Sequence, residues 1–467
     1  MIQVQSTKLI IPGLLVIGVL SACSEDDPAG SQLVASAGND KNILVDESIT
    51  LDGSGSGDSQ GKPFEFSWRF LSKPGSSNSQ LTDSDSEQAA FVPDVQGKYR
   101  IELAVTNDTQ DLDTVTFYAY KVIEIAGSYD NLIPGSNVGV RIFEPAFDKL
   151  IATCEFTEIG GIDANKIASY SGGGAWSALG CGLEEGSIFG MVEYKGELYV
   201  TGEFDEIGCI PANNIARWDG AGWHALGNGL TGGTDPYGYT LAVYDGELYV
   251  GGQFTMAGDK QAINIARWDG TNWSAVGTLE GGSVRVLHVY KQKLYAGGYF
   301  THVNGSDSPY LSAYDGANWS VLGGTTALEL RTVGAVKELA VFKDVLYISG
   351  NFTPSGGGDE VSELSTWNGS QFSDFGRAFT FGPGNSIRDL KVINDVLYIG
   401  GKFSSNVVAT PAKNILQWDG ESWGMMDTGI SGTVLSIESY GNKIYIGGDF
   451  DAAGGTTAEN ISIWTEE

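Results

Sequence analysis

Apolar and polar residues alternate along most of the chain in short runs, and the runs are separated by Gly, Asp, Asn and Ser. A period of two is the pattern of a strand with one face buried. "TLAVYDGELYVGG" (Thr240 to Gly252) is two such runs meeting at Asp245-Gly246. That dipeptide accepts the positive φ angles of a tight hairpin. "NIARWDGTNWSAVG" (Asn264 to Gly277) is a second pair, turning at Asp269-Gly270. The pattern predicts strands and hairpins throughout, and an all-β protein.

The four-run unit repeats. The phenylalanine after the small-residue pair recurs as Phe156, Phe204, Phe254, Phe300, Phe352, Phe403 and Phe450, at intervals of 46 to 52 residues. An aromatic follows each by 14 or 15 positions, from Tyr170 to Trp464. One meander with two apolar faces cannot bury itself, whereas meanders set radially cover one another. Residues 127–467 therefore predict a seven-bladed β-propeller of four-stranded blades. The paired aromatics, such as Trp268 with Trp273, are expected to pack between blades. Glycine pairs such as Gly251-Gly252 are expected where blades approach closely. The last unit stops at "ISIWTEE", one strand short, and "SYDNLIPGSNVG" (Ser128 to Gly139) is expected to supply that strand beside Trp464.

Residues 35–125 carry a different pattern. "ITLDGSGSGD" (Ile49 to Asp58), then "FEFSWRFL" with Trp68, then "FVPDVQGKYRIELAV" alternate over fewer, longer runs. In that order they resemble a polycystic-kidney-disease (PKD) domain. The resemblance implies an immunoglobulin-like β-sandwich preceding the propeller, a module that serves as a spacer or adhesive unit. The repeats, with their "LYVGG … WDG … W" order, resemble kelch repeats and, closer still, those of fungal cortical cell-polarity markers. The first unit departs at Thr153-Cys154, where glycines belong, and the fifth has Phe372 for the second tryptophan.

At the N-terminus, Lys8 precedes an apolar run from Leu9 to Leu20, too short to cross a bilayer and suited to a secretory signal. "LSAC" resembles a bacterial lipobox. Residues 1–22 are then a signal peptide, Cys23 the lipidated residue carrying palmitate-type acyl chains, and 23–34 an acidic tether. "SEDD" after Cys23 resembles the surface-export signal of Bacteroidetes lipoproteins. The expected location is the bacterial outer membrane, lipid-anchored and exposed at the surface.

Composition narrows the function. Hydrophobic residues are 42% and charged ones 18%, which is globular. The net charge of -31 argues against a nucleic-acid partner. Only His224, His288 and His302 occur, too few and too scattered for a copper centre like that of galactose-oxidase-type propellers, so no metal site is expected. "SAYDGANW" (Ser312 to Trp319) lacks a residue of the sialidase Asp box. No catalytic residue is assigned. Calcium is the one cofactor that acidic loops admit, with Asp52 and Asp58 as candidate ligands, although turn formation is the simpler account of both.

Stacking the repeats brings out one constellation. Five positions before the residue aligned with Tyr244 stand Tyr239, Arg285, Lys337 and Arg388, with Phe189 and Leu435 in two further units and Arg141 in the first. In so acidic a chain, cations at one register predict a partial ring at the channel mouth that binds an anionic group. Cys181 and Cys209 fall on connections that emerge on one face, and export would join them as a disulfide. Cys154 is expected to be a buried free thiol. The reading that follows is a surface binding or adhesion lipoprotein whose propeller recognises a glycan or a protein. The alternatives are a polysaccharide-active, lyase-like enzyme and a purely structural adhesin.

Overall fold

The computed structural model of the protein describes residues 32–131, 135–173, 175–308, 310–322, 334–352, 362–375, 379–380, 386–405 and 413–466. All regular structure among them is β. The sandwich packs Lys41–Leu44, Gln110–Tyr120, Gly97–Thr106 and Glu65–Ser72 against Ile49–Asp52, Gln88–Phe91 and Leu81–Thr82. Trp68, Tyr99, Phe91 and Phe117 fill the space between the sheets. Trp68 Nε1 donates to the Ser86 carbonyl at 3.0 Å, so its one polar atom is satisfied. The unit begins before residue 35, because Leu33–Val34 pairs with Gly57–Asp58 and Leu33 is buried. The sandwich therefore starts two residues earlier than the sequence reading places it.

Beyond residue 126 the described residues form seven meander-type sheets: five of four strands each, one whose outer strand is Gly127–Asp130, and a six-stranded one that also takes in Val122–Glu124 and Phe379–Thr380. Their innermost strands are Ile142–Ala146, Ser187–Tyr194, Tyr237–Tyr244, Val284–Tyr290, Val336–Phe342, Ser386–Ile393 and Thr433–Tyr440. They define blades 1 to 7. Each lies beside the next, and that of blade 7 lies beside that of blade 1, so the ring is closed. This is a β-propeller around an axial channel.

Side chains join blade to blade in a repeated way. Trp223, Trp273 and Trp319 each donate from Nε1 to a carbonyl of the preceding blade's exit: Leu179 at 3.1 Å, Leu226 at 3.0 Å and Val276 at 2.6 Å. In the other direction, Tyr194, Tyr244, Tyr290 and Tyr440 donate to turn carbonyls of the following blade (Gly246, Gln292, Asp344 and Asp148) at 2.7–3.1 Å. The aromatic hairpins are architecture. Gly251 shows why a side chain is missing there, since a Cβ would come 2.5 Å from Val284 of the next blade. Asn214, Asn264, Asn414 and Asn460 take φ between 62° and 67° at the start of the third strand. Each accepts from the N–H of Phe204, Phe254, Phe403 or Phe450 at 2.8–3.1 Å.

The ring is closed at the expected place, by the first few residues of the expected segment and the glycine before it. Gly127–Asp130 pairs antiparallel with Ile461–Glu466, Tyr129 opposite Trp464, and the two rings lie 4.8 Å apart. The preceding residues differ from the sequence reading, which ends the sandwich at 125. Val122–Glu124 pairs in parallel with Trp423–Met425 on the outer edge of blade 6. Tyr120 is buried in the blade 6 core with Trp418 and Trp423. The linker thus belongs to the propeller, because an extended apolar segment leaving the sandwich meets an unpaired sheet edge.

Trp464 is fully buried where the first and last strands of the propeller meet. Trp464→Ala is expected to cost about 3–5 kcal/mol in chemical denaturation, the range for truncating a large core aromatic. A cost below about 1 kcal/mol would show that closure contributes little to stability.

Candidate functional site: the axial channel

Each innermost strand from blade 2 to blade 7 carries a β-bulge one or two residues into the strand. The unpaired residues are Phe189, Tyr239, Arg285, Lys337, Arg388 and Leu435. Arg141 occupies the same place on blade 1, its N–H donating to the Thr153 carbonyl at 3.0 Å. All five residues singled out for ligand binding therefore stand on one tier, at the end of the channel where each blade is entered. A bulge turns its extra side chain out of the alternating pattern, which aims these groups at the mouth.

Four of the seven form a continuous stack. The Arg141 guanidinium lies 5.4 Å over the Phe189 ring, Phe189 stacks on Tyr239 at 5.2 Å, and Arg285 lies 3.7 Å over Tyr239. Tyr299 flanks Arg285 at 5.5 Å, and Tyr237 flanks Phe189 at 6.0 Å. Cation–π contact holds the two guanidinium groups against aromatic faces, and arginine offers an oxyanion a planar fork of N–H donors. Arg388 is exposed on blade 6, and Lys337 is partly exposed on blade 5.

One residue further in on blades 5 and 6 are Glu338 and Asp389. Channel walls surround both, although neither is cut off from channel water. Burial holds the Glu338 carboxyl well above the usual range, the Asp389 charge adds to this, and Arg285 and Arg388 oppose it. Burial raises Asp389 to about 6 against the pull of Lys391 and a hydrogen bond from the Ile437 N–H.

The next tier holds Glu144, His288, Lys391 and Glu438. Lys391 is ion-paired with Glu438, whose side chain is 5% exposed. Burial alone would lower the Lys391 ammonium, but Glu438, Asp389 and Glu144 together raise it. Burial lifts Glu144 to about 7 and lowers His288 to about 4, the nearby Lys391 charge contributing to the latter. The sequence reading missed this tier. The register alignment that exposed the bulge residues, moved three positions inward, would have found it.

Cys181 and Cys209 form a disulfide, with S–S at 2.17 Å and Cα atoms 5.9 Å apart, linking blade 1's exit to a hairpin of blade 2. Cys154 is free but only half-buried, which corrects the expectation of a buried thiol. In blade 1 the residues before Arg141 lean away, Val140 donating to Gly448 of blade 7 at 3.2 Å, and leave room there. Other blades fill that space with innermost-strand backbone, and a Cβ on Gly252 would meet the Tyr237 carbonyl at 2.2 Å. Asp52 and Asp58 accept from turn N–H groups of Ser54 and Gln60 at 3.0 and 2.8 Å. His224 and His302 pair with Asp219 and Asp307. Among the described residues, no three His, Cys, Asp or Glu side chains converge as a metal site would require. Cys23 lies outside the described residues.

Residues 37–118 match a family model described as a PKD domain. No curated protein matches the chain. Among solved structures, the chain is similar to the PKD domain of the KIAA 1837 protein (30% identity over 20% of this chain and 91% of that one, TM-score 0.17). It is also similar to the β-propeller domain of the Trilobed protease from Pyrococcus furiosus (11% identity, 83% of this chain and 94% of that one, TM-score 0.34). A third is a nucleoside hydrolase-related protein from Saccharophagus degradans (22% identity, TM-score 0.16). The match to it covers 17% of this chain and spans about a fifth of that protein, 21%.

The raised Glu144 carboxyl makes stability depend on pH in a definite sense. Between about 4.5 and 7 the folded chain keeps a proton that the unfolded chain has lost. Its contribution therefore falls as pH rises through that window, and the full penalty is present above it. Glu144→Gln removes the penalty. The variant is expected to match the native protein near pH 4.5 and to be more stable by about 1–3 kcal/mol at pH 8. Melting curves at the two pH values that shift in parallel would contradict this.

Proposed function

We propose that the chain is a lipid-anchored, surface-exposed binding protein of the bacterial outer membrane. Its kelch-like propeller takes an acidic group of an extracellular ligand at the mouth of the axial channel. The observation that carries the reading is the stacked arc Arg141–Phe189–Tyr239–Arg285 on bulge positions, continued by Lys337 and Arg388 at the same register. Cations gathered on one tier of a chain with net charge -31 attract an anion and leave most of the surface repelling it. Oriented guanidinium groups suit carboxylate and sulfate, so an acidic glycan fits first and an acidic protein segment second.

A polysaccharide-active enzyme is the second reading. It is favoured by Asp389 and Glu144, channel carboxyls raised to about 6 and 7, the range of general acids and bases. An activity screen on acidic polysaccharides separates it from a binding protein.

Arg285→Ala combined with Arg388→Ala should weaken binding of any acidic glycan found on an array by at least about tenfold, leaving the melting temperature within a few degrees. Full binding by the double variant would remove the mouth from consideration. For the anchor, Cys23→Ser should shift the protein from the membrane to the soluble fraction of cells. A variant still in the membrane fraction would contradict lipidation at Cys23.

A further inference from the structure

The cationic mouth has carboxyl groups built directly beneath it. Glu338 follows Lys337 on blade 5, and Asp389 follows Arg388 on blade 6, so each acid is the next residue inward from a bulge cation. Glu338 feels the charges of Arg285 on blade 4 and of Arg388 and Asp389 on blade 6. Asp389 in turn feels Lys391 on its own strand and Glu438 on blade 7. Deeper still, Glu144 of blade 1 and His288 of blade 4 complete the titratable lining, and both feel Lys391.

Building on the anion-binding reading above, we propose that Glu338, backed by Asp389, is an internal counter-anion that competes with the bound anion for Arg285 and Arg388. The mouth then binds anions more tightly in acidic than in alkaline medium.

Glu338 stands on blade 5, between Arg285 on blade 4 and Arg388 on blade 6, so when ionised its charge opposes their field at the mouth. When it is protonated, that field is available to an incoming oxyanion. Anion binding and proton binding therefore favour each other, and linkage makes the effect reciprocal. Burial keeps the Glu338 proton on above the usual carboxylate range, and Asp389, raised to about 6, responds in the same sense. Arg141 stands on blade 1, away from this pair, and supplies a cation that the acids do not compensate to the same degree. Binding is therefore weakened at high pH and not abolished.

Titration with inorganic sulfate, which keeps its full charge throughout, tests this on the mature full-length protein. The native protein is expected to bind sulfate about tenfold more tightly near pH 5.5 than near pH 8.5, the change that one linked proton allows over a unit of pH. Glu338→Gln should bind at pH 8.5 nearly as tightly as the native protein does at pH 5.5. Asp389→Asn, which keeps an acceptor for the Ile437 N–H, should remove part of the dependence. Arg285→Ala should bind sulfate at least about tenfold more weakly at both pH values, which places the sulfate at the mouth. Sulfate affinity that does not change with pH, or a full pH dependence retained in Glu338→Gln, would overturn the counter-anion role while leaving the anion site standing. Absence of sulfate binding at both pH values would overturn both.

Discussion

The structure depends on what becomes of unpaired sheet edges. Every blade leaves an inner edge facing the channel, with backbone N–H groups that no fifth strand can reach, and buried N–H groups must find partners. On blades 1, 4 and 7 a side chain of the preceding blade supplies one. Thr240 accepts from the Leu287 N–H at 3.2 Å, Ser436 from the Phe143 N–H at 2.9 Å, and Asp389 from the Ile437 N–H. The polar lining of the channel is thus first a solution to a backbone problem. Where the partner is a carboxylate instead of a hydroxyl, the same solution brings a charge into a confined space and raises its proton affinity. Architecture and candidate chemistry share residues here.

The outer edges meet the same constraint in other ways. Blade 7 borrows Gly127–Asp130, and blade 6 accepts Val122–Glu124, so one continuous stretch of chain covers two neighbouring edges. The remaining outer strands are three residues long, too short to template much pairing.

Much of this is legible in the sequence, for a physical reason. Strand alternation, hairpin dipeptides and a repeat near fifty residues are local signals, and Trp68, Trp273 and Gly251 each do what their pattern implies. The bulge register is legible because repetition turns an axial arrangement into a column of aligned residues, Tyr239 over Arg285 over Arg388. Pairing across a ring is not written locally, which is why the linker's place on blade 6 and the room around Cys154 were missed. The Glu144–Lys391–Glu438 tier escaped for a related reason. Each residue reads as an ordinary exposed charge on an alternating strand until the blades are bent around a common axis.

The strap from Val122 to Asp130 has a mechanical meaning. Tension applied through the sandwich reaches the propeller along a strand bonded lengthwise to blade 6 and, a few residues on, to blade 7. A pull along such a strand loads its hydrogen bonds together, in shear, and does not peel them one at a time. The same pull is divided between two blades that lie side by side in a closed ring, so the seam where the propeller's first and last strands meet is relieved by the bonds on blade 6 ahead of it.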